Sequence, residues 1–284
     1  MKFYGQFEPQ VDQYIFERYF PDVGIEGVFV ECGAFDGLTE CSCKFFEETM
    51  GWKGYNFEPV PLIFKELQIN RPLSTNLNYG LSNNTGKAIF HAVNHPTFGL
   101  NCTNGSLQHQ DSHKAILDEM GCDFHEIEVE LITWAKFIKD FNVKRVDLLV
   151  LDVEGHELSV IEAMRDCDVL PDIICIEYGH LGLGKVREHL EPLGYCYDIT
   201  SNANAFFVKH EKIPLFALRR TLKMIPEQKE KFITTQTVPI DYKLIEENTS
   251  LKVHLSDLTH LYNEIIGSKS WRMIESVKKI WGSK

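Results

Sequence analysis

The sequence predicts an open α/β fold, because segments with the pattern of β-strands alternate with segments with the pattern of α-helices. The run VDLLVLDVEG at 146–155 is the most apolar of the strand patterns, which indicates the centre of a parallel sheet that is covered on both faces. The runs YCYDIT and NAFFVKH, which end near residue 210, indicate an antiparallel pair that closes the sheet.

The individual elements follow from the periodicity of apolar residues, which is about 3.6 in helices and 2 in strands. For example, EIEVELI at 126–132 alternates as a half-buried strand does, and Thr133 is suited to cap the helix that follows. Residues 94–126 are polar and predict a loop with a short helix near SHKAILDEMG. Besides the closing pair, the pattern predicts strands at 27–31, 54–59, 75–82, 86–93, 126–132, 146–155 and 172–179, and helices at 11–20, 39–50, 61–70, 133–142, 157–167 and 184–194.

The alternation stops near residue 211, which predicts two domains, 1–210 and a C-terminal extension over 211–284. Amphipathic patterns predict helices at 253–266 and 270–281 in this extension. The second pattern carries tryptophan and lysine residues. It therefore suggests contact with a membrane surface, with a second copy of the chain or with its own domain.

Composition narrows the classes of partner. The 284 residues carry a net charge of -12, which argues against a broad contact surface for the phosphates of nucleic acid. Residues 1–20 lack the apolar core of a signal peptide, and no run approaches the roughly 20 apolar residues that cross a bilayer. The eight cysteines form no CxxC pair, so we expect reduced thiols and a cytoplasmic protein.

Acidic residues stand where four of the predicted strands end, which is where open parallel sheets bind their ligands. A single carboxylate at such a position often only caps the next helix, and that interpretation stays open for each residue. Together they predict a negatively charged crevice, formed by Glu31, Asp36, Glu58, Asp152, Glu154 and Glu177.

The loop after the first predicted strand argues for a ligand without phosphate. Gly33 and Gly37 allow close approach of the backbone, but their spacing differs from the G-x-G-x-x-G pattern of dinucleotide sites. Asp36 within the loop would repel a pyrophosphate, and Glu58 can accept hydrogen bonds from a ribose diol. These features predict S-adenosylmethionine as the cofactor.

Four stretches of residues 1–210 resemble the FkbM family of S-adenosylmethionine-dependent methyltransferases: GVFVECGAFDGLTECSCKFFEETMGWKGYNFEP, LSNNTG, LLVLDVEGHELSVIEAM and DIICIEYGH. The resemblance implies the class I methyltransferase fold, a Rossmann-like sheet of about seven strands with an antiparallel last strand. It also implies O-methyl transfer to hydroxyls of sugars and polyketide-type small molecules, in surface glycan or secondary-metabolite pathways.

Each candidate residue has a hypothetical role in binding the cofactor. Glu31 and Asp36 would receive the ammonium group of the methionine part, and Glu58 would hold the ribose hydroxyls. The remaining candidates are Gly33, Ala34 and Gly37, whose backbone would contact the methionine part, together with Ser82 near the adenine and Asp152 at the central strand.

Methyl transfer to a hydroxyl also needs a group that removes a proton, and Asp152, His156 and His180 are the candidates. A divalent metal that lowers the pKa of the acceptor hydroxyl is an alternative. Its candidate ligands are Asp152, Glu154 and Glu177. The segment 94–113 is predicted to lie over the crevice or to form a surface loop.

Two other functions remain open at this point. An NAD-linked sugar oxidoreductase would need a Tyr-x-x-x-Lys pair, and none occurs near the predicted strand ends. A non-catalytic subunit that scaffolds glycan-synthesis enzymes would use the C-terminal extension. Its stretch LYNEIIGSKSWRMIESVKKIW resembles the tail of bacterial surface-polysaccharide glycosyltransferases.

Overall fold

The computed structural model describes residues 1–99 and 102–223, and they form ten strands in two sheets. The predicted helices at 253–266 and 270–281 lie outside the described residues. In chain order the strands are β1 (Val28–Cys32), β2 (Lys53–Phe57), β3 (Thr75–Leu77), β4 (Gly80–Ser82), β5 (Gly86–Asn94), β6 (Asp123–Thr133), β7 (Leu148–Leu151), β8 (Ile173–Glu177), β9 (Tyr195–Ser201) and β10 (Asn204–Lys209).

The main sheet has seven strands in the order β3-β2-β1-β7-β8-β10-β9. Strands β3, β2, β1, β7 and β8 are parallel to their neighbours, whereas β10 runs antiparallel to both β8 and β9. The predicted mostly parallel sheet with an antiparallel closing pair is therefore confirmed. All four residues of β7 are buried, as expected for a strand that is covered on both faces.

Eight α-helices occur in the described residues. Three of them have an apolar side that packs on the main sheet: Phe137, Val160 and Val186, one from each helix, belong to the same buried cluster as the strands. The helices are α1 (Val11–Tyr19), α2 (Lys44–Glu48), α3 (Pro61–Asn70), α4 (Asp111–Glu119), α5 (Trp134–Asp140), α6 (Glu157–Glu162), α7 (Leu183–Leu190) and α8 (Ile213–Lys223).

A second sheet, in the order β4-β6-β5, differs from the expectation of a single sheet. The predicted strand at 75–82 divides at residues 78–79: β3 forms the edge of the main sheet, and β4 pairs with β6 in the second sheet. The side chain of Asn78 donates to the backbone carbonyls of Glu58 and Pro59 at 2.8 and 2.9 Å, which fixes the break beside the end of β2.

The chain divides into two compact units, Met1–Lys212 and the residues from Ile213 onward. Everything described below lies in the first unit. Among the described residues, no helix combines the length and the apolar character that a membrane span requires.

Candidate active site

The carboxyl ends of β1, β2 and β7 lie side by side at one edge of the main sheet. Cys32 is in register with Phe57 on one side and with Leu151 on the other. The next residue along each strand is Gly33, Glu58 or Asp152, so the backbone register brings these three predicted residues together. All three line an open crevice. Its volume is about 950 Å³ when the space at its mouth is included.

Gly33 occupies a position that only glycine fits. Its φ of +83° belongs to the left-handed region, and a Cβ atom there would collide with the carbonyl oxygen of Asp152. Its amide and that of Ala34 both donate to the carbonyl of Phe57, at 3.2 and 3.1 Å. The first loop is therefore held tightly against the ends of β2 and β7, with Gly33 at the surface of the crevice.

Ala34, Asp36 and Gly37 stabilise the loop itself and are not among the described residues that line the crevice. Asp36 accepts hydrogen bonds from the amides of Leu38 and Thr39 at 2.8 and 2.7 Å. Ala34 is buried, and its carbonyl accepts from the Gly37 amide at 2.9 Å. A Cβ atom at Gly37 would lie 2.6 Å from the Arg71 side chain, so glycine is needed for this packing.

Glu31 belongs to a buried ion-pair network and does not line the crevice. It is only 3% exposed and accepts from Arg71 Nη1 at 2.8 Å and from the amide of Ser42 at 2.8 Å. Arg71 is completely buried and also pairs through Nε with Glu47. The carboxylate predicted to receive an ammonium group is thus neutralised by an arginine that lies 40 positions further along the chain.

Glu58 presents a desolvated carboxyl group to the crevice. It is 5% exposed and accepts from the amide of Val60 at 2.7 Å and from that of Phe35 in the first loop. Burial raises the pKa of Glu58 from 4.5 to about 7, and the two backbone hydrogen bonds only partly oppose this rise. A buried carboxyl group of this kind gains most from a ligand that donates hydrogen bonds to it.

Three acidic side chains meet where β7 and β8 end. Oxygens of Asp152, Glu154 and Glu177 all lie within 4.8 Å of one another. Solvent reaches Asp152 through the crevice, but the surrounding walls displace much of its hydration. This desolvation, together with the charges of Glu177 and Glu154, raises the pKa of Asp152 well above its usual range. Burial and the charge of Glu154 raise the pKa of Glu177 to about 7.

Two histidines also lie beside Glu154, and one of them, His180, is within 3.9 Å of Glu177 as well. Glu154 Oε2 lies 3.5 Å from His113 Nδ1 and 3.4 Å from His180 Nε2. The two imidazole rings are stacked, with 3.9 Å between their centroids and 7° between their planes. His180 is one of the predicted residues, whereas His113 is not. The signal for His113 is its helical spacing from Leu117, which puts both on the buried side of α4.

His156 immediately precedes α6, at its N-cap position, and also lines the crevice. Its Nε2 lies 3.0 Å from the hydroxyl of Ser82, and desolvation lowers the pKa of its ring. Ser82 itself is buried in β4 and is not among the described residues that line the crevice. The structure therefore places Ser82 as a support for His156.

The polar segment before α4 covers part of the crevice, and Cys102, Thr103, Gly105 and Leu107 line it. Ser106 Oγ donates to the carbonyl of Val153 at 3.3 Å, which joins this segment to the loop after β7.

The sequence model of the family described as methyltransferase FkbM domain matches residues 31–197 of this chain. This range is more than half of the 284 residues and contains all the strand ends described above. The chain belongs to the FkbM methyltransferase family. S-adenosylmethionine is therefore its cofactor, and methyl transfer is its class of reaction. This assignment favours methyl transfer over NAD-linked oxidation.

Three solved structures show what else this FkbM chain is similar to. The METTL16 MTase domain is 10% identical, with a TM-score of 0.40. The match covers 71% of this chain and 66% of the METTL16 chain, so this chain spans slightly less than two thirds of that one. TrmK of M. capricolum, in complex with S-adenosyl-homocysteine, is 9% identical, with a TM-score of 0.38 over 87% and 95% of the two chains. A putative rRNA methylase from Clostridium thermocellum is 12% identical, with a TM-score of 0.36 over 74% and 98%. No curated protein matches the chain.

The crevice of this FkbM chain fits its cofactor in two respects. Gly33 brings bare backbone to the surface of the crevice, because any side chain there would collide with Asp152. Glu58 supplies a buried carboxyl group, and in the described part of the chain no lysine or arginine pairs with it. Hydroxyl and ammonium groups are the hydrogen-bond donors that such a site requires.

Proposed function

We propose that this FkbM methyltransferase transfers the methyl group of S-adenosylmethionine to a hydroxyl group of a sugar or glycan-type small molecule. The observation that carries the proposal is the acidic cluster of Asp152, Glu154 and Glu177, which adjoins the cofactor crevice. Carboxylates accept hydrogen bonds from the hydroxyl groups of a polyhydroxylated acceptor and remove a proton from the one that reacts.

In this proposal the cofactor is bound mainly by Gly33 and Glu58. The carboxyl group of Glu58 accepts hydrogen bonds from the ribose hydroxyls, and the backbone of Gly33 lies against the methionine part. Asp152 receives the ammonium group, because it lines the same crevice, whereas Arg71 neutralises Glu31 and Asp36 is used within its own turn. Ala34 and Gly37 contribute indirectly, because they stabilise the loop that holds Gly33 in position.

When bound, the cofactor supplies an electrophilic methyl group on a sulfonium. The residues of this chain must then orient the acceptor oxygen and take its proton. Of the candidates Asp152, His156 and His180, the first is used by the ammonium group in this proposal, which leaves the two histidines. Of these, His156 lines the crevice directly. The Ser82 hydroxyl holds one ring nitrogen of His156, and Nδ1 of the same ring has no hydrogen-bond partner among the described residues.

The electrostatics of the chain favour a small acceptor over nucleic acid. The net charge is -12, and the acidic cluster would repel a phosphate backbone. A sugar carries no such charge, and Tyr79 and Phe90 add aromatic surface to the lining of the crevice. Surface-polysaccharide or secondary-metabolite synthesis in the cytoplasm is the context that suits this acceptor. The proposed membrane or homodimer contact of the C-terminal helices concerns residues outside those described.

A transfer assay tests this function. The full-length chain is incubated with methyl-labelled S-adenosylmethionine and panels of monosaccharides, nucleotide sugars, oligosaccharides and RNA, and products are analysed by mass spectrometry and NMR. A labelled O-methyl sugar is the expected product, and Asp152→Asn should abolish it. Methyl groups found only on nitrogen, on carbon or on RNA would overturn the proposal. A scaffold subunit would give no product and no binding of S-adenosylhomocysteine by calorimetry.

A further inference from the structure

The covering segment, residues 102–107, runs across the crevice from one end to the other. At one end, Leu107 Cδ1 lies 3.2 Å from the position that a Cβ atom would take on Gly80, in the strand that starts beside the end of β2. At the other end, Asn104 Nδ2 donates to Glu154 Oε1 at 3.3 Å. The covering segment therefore extends from the end of β2 to the loop after β7.

Contacts within the protein fix the covering segment in this position without a ligand. Ser106 is completely buried, and its amide and carbonyl pair with the carbonyl and amide of His91 in β5 at 3.1 and 2.9 Å. Its hydroxyl donates to the carbonyl of Val153 at 3.3 Å. Gly105 lies against the ring of Phe90, because a Cβ atom there would be 2.6 Å from Cε1 of that ring. The segment is thus a preformed wall of the crevice.

Thr103 differs from its neighbours in this wall, because its hydroxyl group is not used. The thiol of Cys102 donates to Asn104 Oδ1 at 3.2 Å, and the amide group of Asn104 donates in turn to Glu154. Thr103 is half-buried and lines the crevice, and its hydroxyl makes no hydrogen bond within the part of the chain that the structure describes. A hydroxyl group both donates and accepts, so Thr103 offers both functions to a ligand.

The proposed binding mode of the cofactor leaves this end of the wall free. The cofactor extends from Glu58, which holds the ribose, to Asp152, which receives the ammonium group, and its sulfonium lies between these two parts. The acceptor must therefore approach from the opposite wall. Thr103 and Glu154 both line the crevice there, and a carboxylate oxygen of Glu154 lies within 4.8 Å of one of Asp152.

We propose that Thr103 and Glu154 form a subsite for a second hydroxyl group of the acceptor, next to the hydroxyl that receives the methyl group. The carboxylate of Glu154 accepts a hydrogen bond from this second hydroxyl, and the hydroxyl of Thr103 donates one to its oxygen. The inference rests on the proposed function and narrows its acceptor to sugars with two neighbouring hydroxyl groups. Thr103 and Glu154 are binding residues here, and the proton of the reacting hydroxyl goes elsewhere.

Replacing Thr103 with valine tests this subsite, because valine keeps the branched shape and removes only the hydroxyl. The matched control is Thr85→Val, the same change at an exposed threonine between β4 and β5 that does not line the crevice. Full-length wild type and both variants are assayed with methyl-labelled S-adenosylmethionine and the sugar that the wild type methylates. A second series uses the analogue of this sugar that is deoxygenated beside the methylated position.

Thr103→Val should lower kcat/KM for the sugar roughly 2- to 10-fold, the loss expected for one neutral hydrogen bond. Its affinity for S-adenosylhomocysteine, measured by calorimetry, should be unchanged. In the wild type, the deoxygenated analogue should lose at least about tenfold in kcat/KM, because it leaves two polar groups of the site without partners. In Thr103→Val this second loss should be smaller, since the two changes remove the same hydrogen bond. Thr85→Val should behave as the wild type does.

The two proposals fail in different ways. An O-methyl sugar that Thr103→Val forms at the wild-type rate, or losses that simply add, would overturn the subsite and leave the proposed function standing. Weaker binding of S-adenosylhomocysteine by Thr103→Val would overturn it too, because Thr103 would then belong to the cofactor. The absence of any O-methyl sugar overturns the proposed function and the subsite with it. Thr103→Ser, which keeps the hydroxyl, should retain the wild-type kinetics, and Thr103→Ala replaces the valine variant if circular dichroism shows that the latter does not fold.

Discussion

Replacing Glu58 with glutamine separates two effects of its buried carboxyl group. One is the loss of folding stability when the group ionises, and the other is its contribution to cofactor binding. The carboxyl group is 5% exposed, and burial raises its pKa from 4.5 to about 7. A raised pKa in the folded state means that folding favours the protonated acid. The stabilisation is complete below pH 4.5 and is lost as the pH rises through 7.

The magnitude follows from the pKa difference. A rise from 4.5 to about 7 corresponds to roughly 3 kcal/mol at about 1.4 kcal/mol per pKa unit. Ionisation of Glu58 lowers the free energy of unfolding by about 1 kcal/mol near pH 5 and by the full amount near pH 8. Relative to wild type, Glu58→Gln should therefore be more stable at pH 8 than at pH 5 by about 2 kcal/mol.

The effect on binding should have the opposite sign. Glutamine lacks the charge that strengthens hydrogen bonds from ribose hydroxyls, so affinity for S-adenosylhomocysteine should fall by about 1–3 kcal/mol, or roughly 5- to 150-fold. Urea unfolding of the ligand-free protein at both pH values measures the first effect, and calorimetry at pH 8 measures the second. Glu66→Gln, an exposed glutamate on α3, is the control and should change neither quantity. A stability change independent of pH, together with unchanged affinity, would refute the reasoning.

Three further changes test the supports of the site. Gly33→Ala should cost about 1–3 kcal/mol more in urea unfolding than Gly51→Ala, because both glycines have positive φ but only at Gly33 would a Cβ collide with another atom; equal costs would contradict this. Arg71→Met leaves the buried Glu31 and its second acidic partner unpaired and should lower the free energy of unfolding by about 3–5 kcal/mol. A cost near zero would show that the network is not needed. His156→Asn should reduce the rate of methyl transfer and leave the affinity for S-adenosylhomocysteine unchanged; a full rate would remove His156 from the reaction.

Local pattern was sufficient to predict the main sheet. The apolar run that contains β7 and the alternation that contains β6 identify strands without any knowledge of their partners. Pairing was not predictable for β4 and β5, because a strand pattern does not say which sheet the strand joins. The side chain of Asn78 holds the break that sends β4 to the second sheet, and such a contact depends on the folded position of β2.

The acidic residues at the strand ends look alike in the sequence, and only the fold separates them into two kinds. Glu31 meets Arg71 and becomes part of the interior, whereas Glu58, Asp152 and Glu177 form no ion pair with lysine or arginine in the described part of the chain. Desolvation raises the pKa of each of these three groups, and neighbouring carboxylates add to the rise for Asp152 and Glu177. The crevice therefore carries an electrostatic cost to the free energy of folding. A chain retains such a cost where a ligand offsets it. Positively charged ammonium and sulfonium groups, hydroxyl donors and a metal ion all act in this direction, which is why the carboxylates left unpaired by the fold mark the functional edge of the sheet.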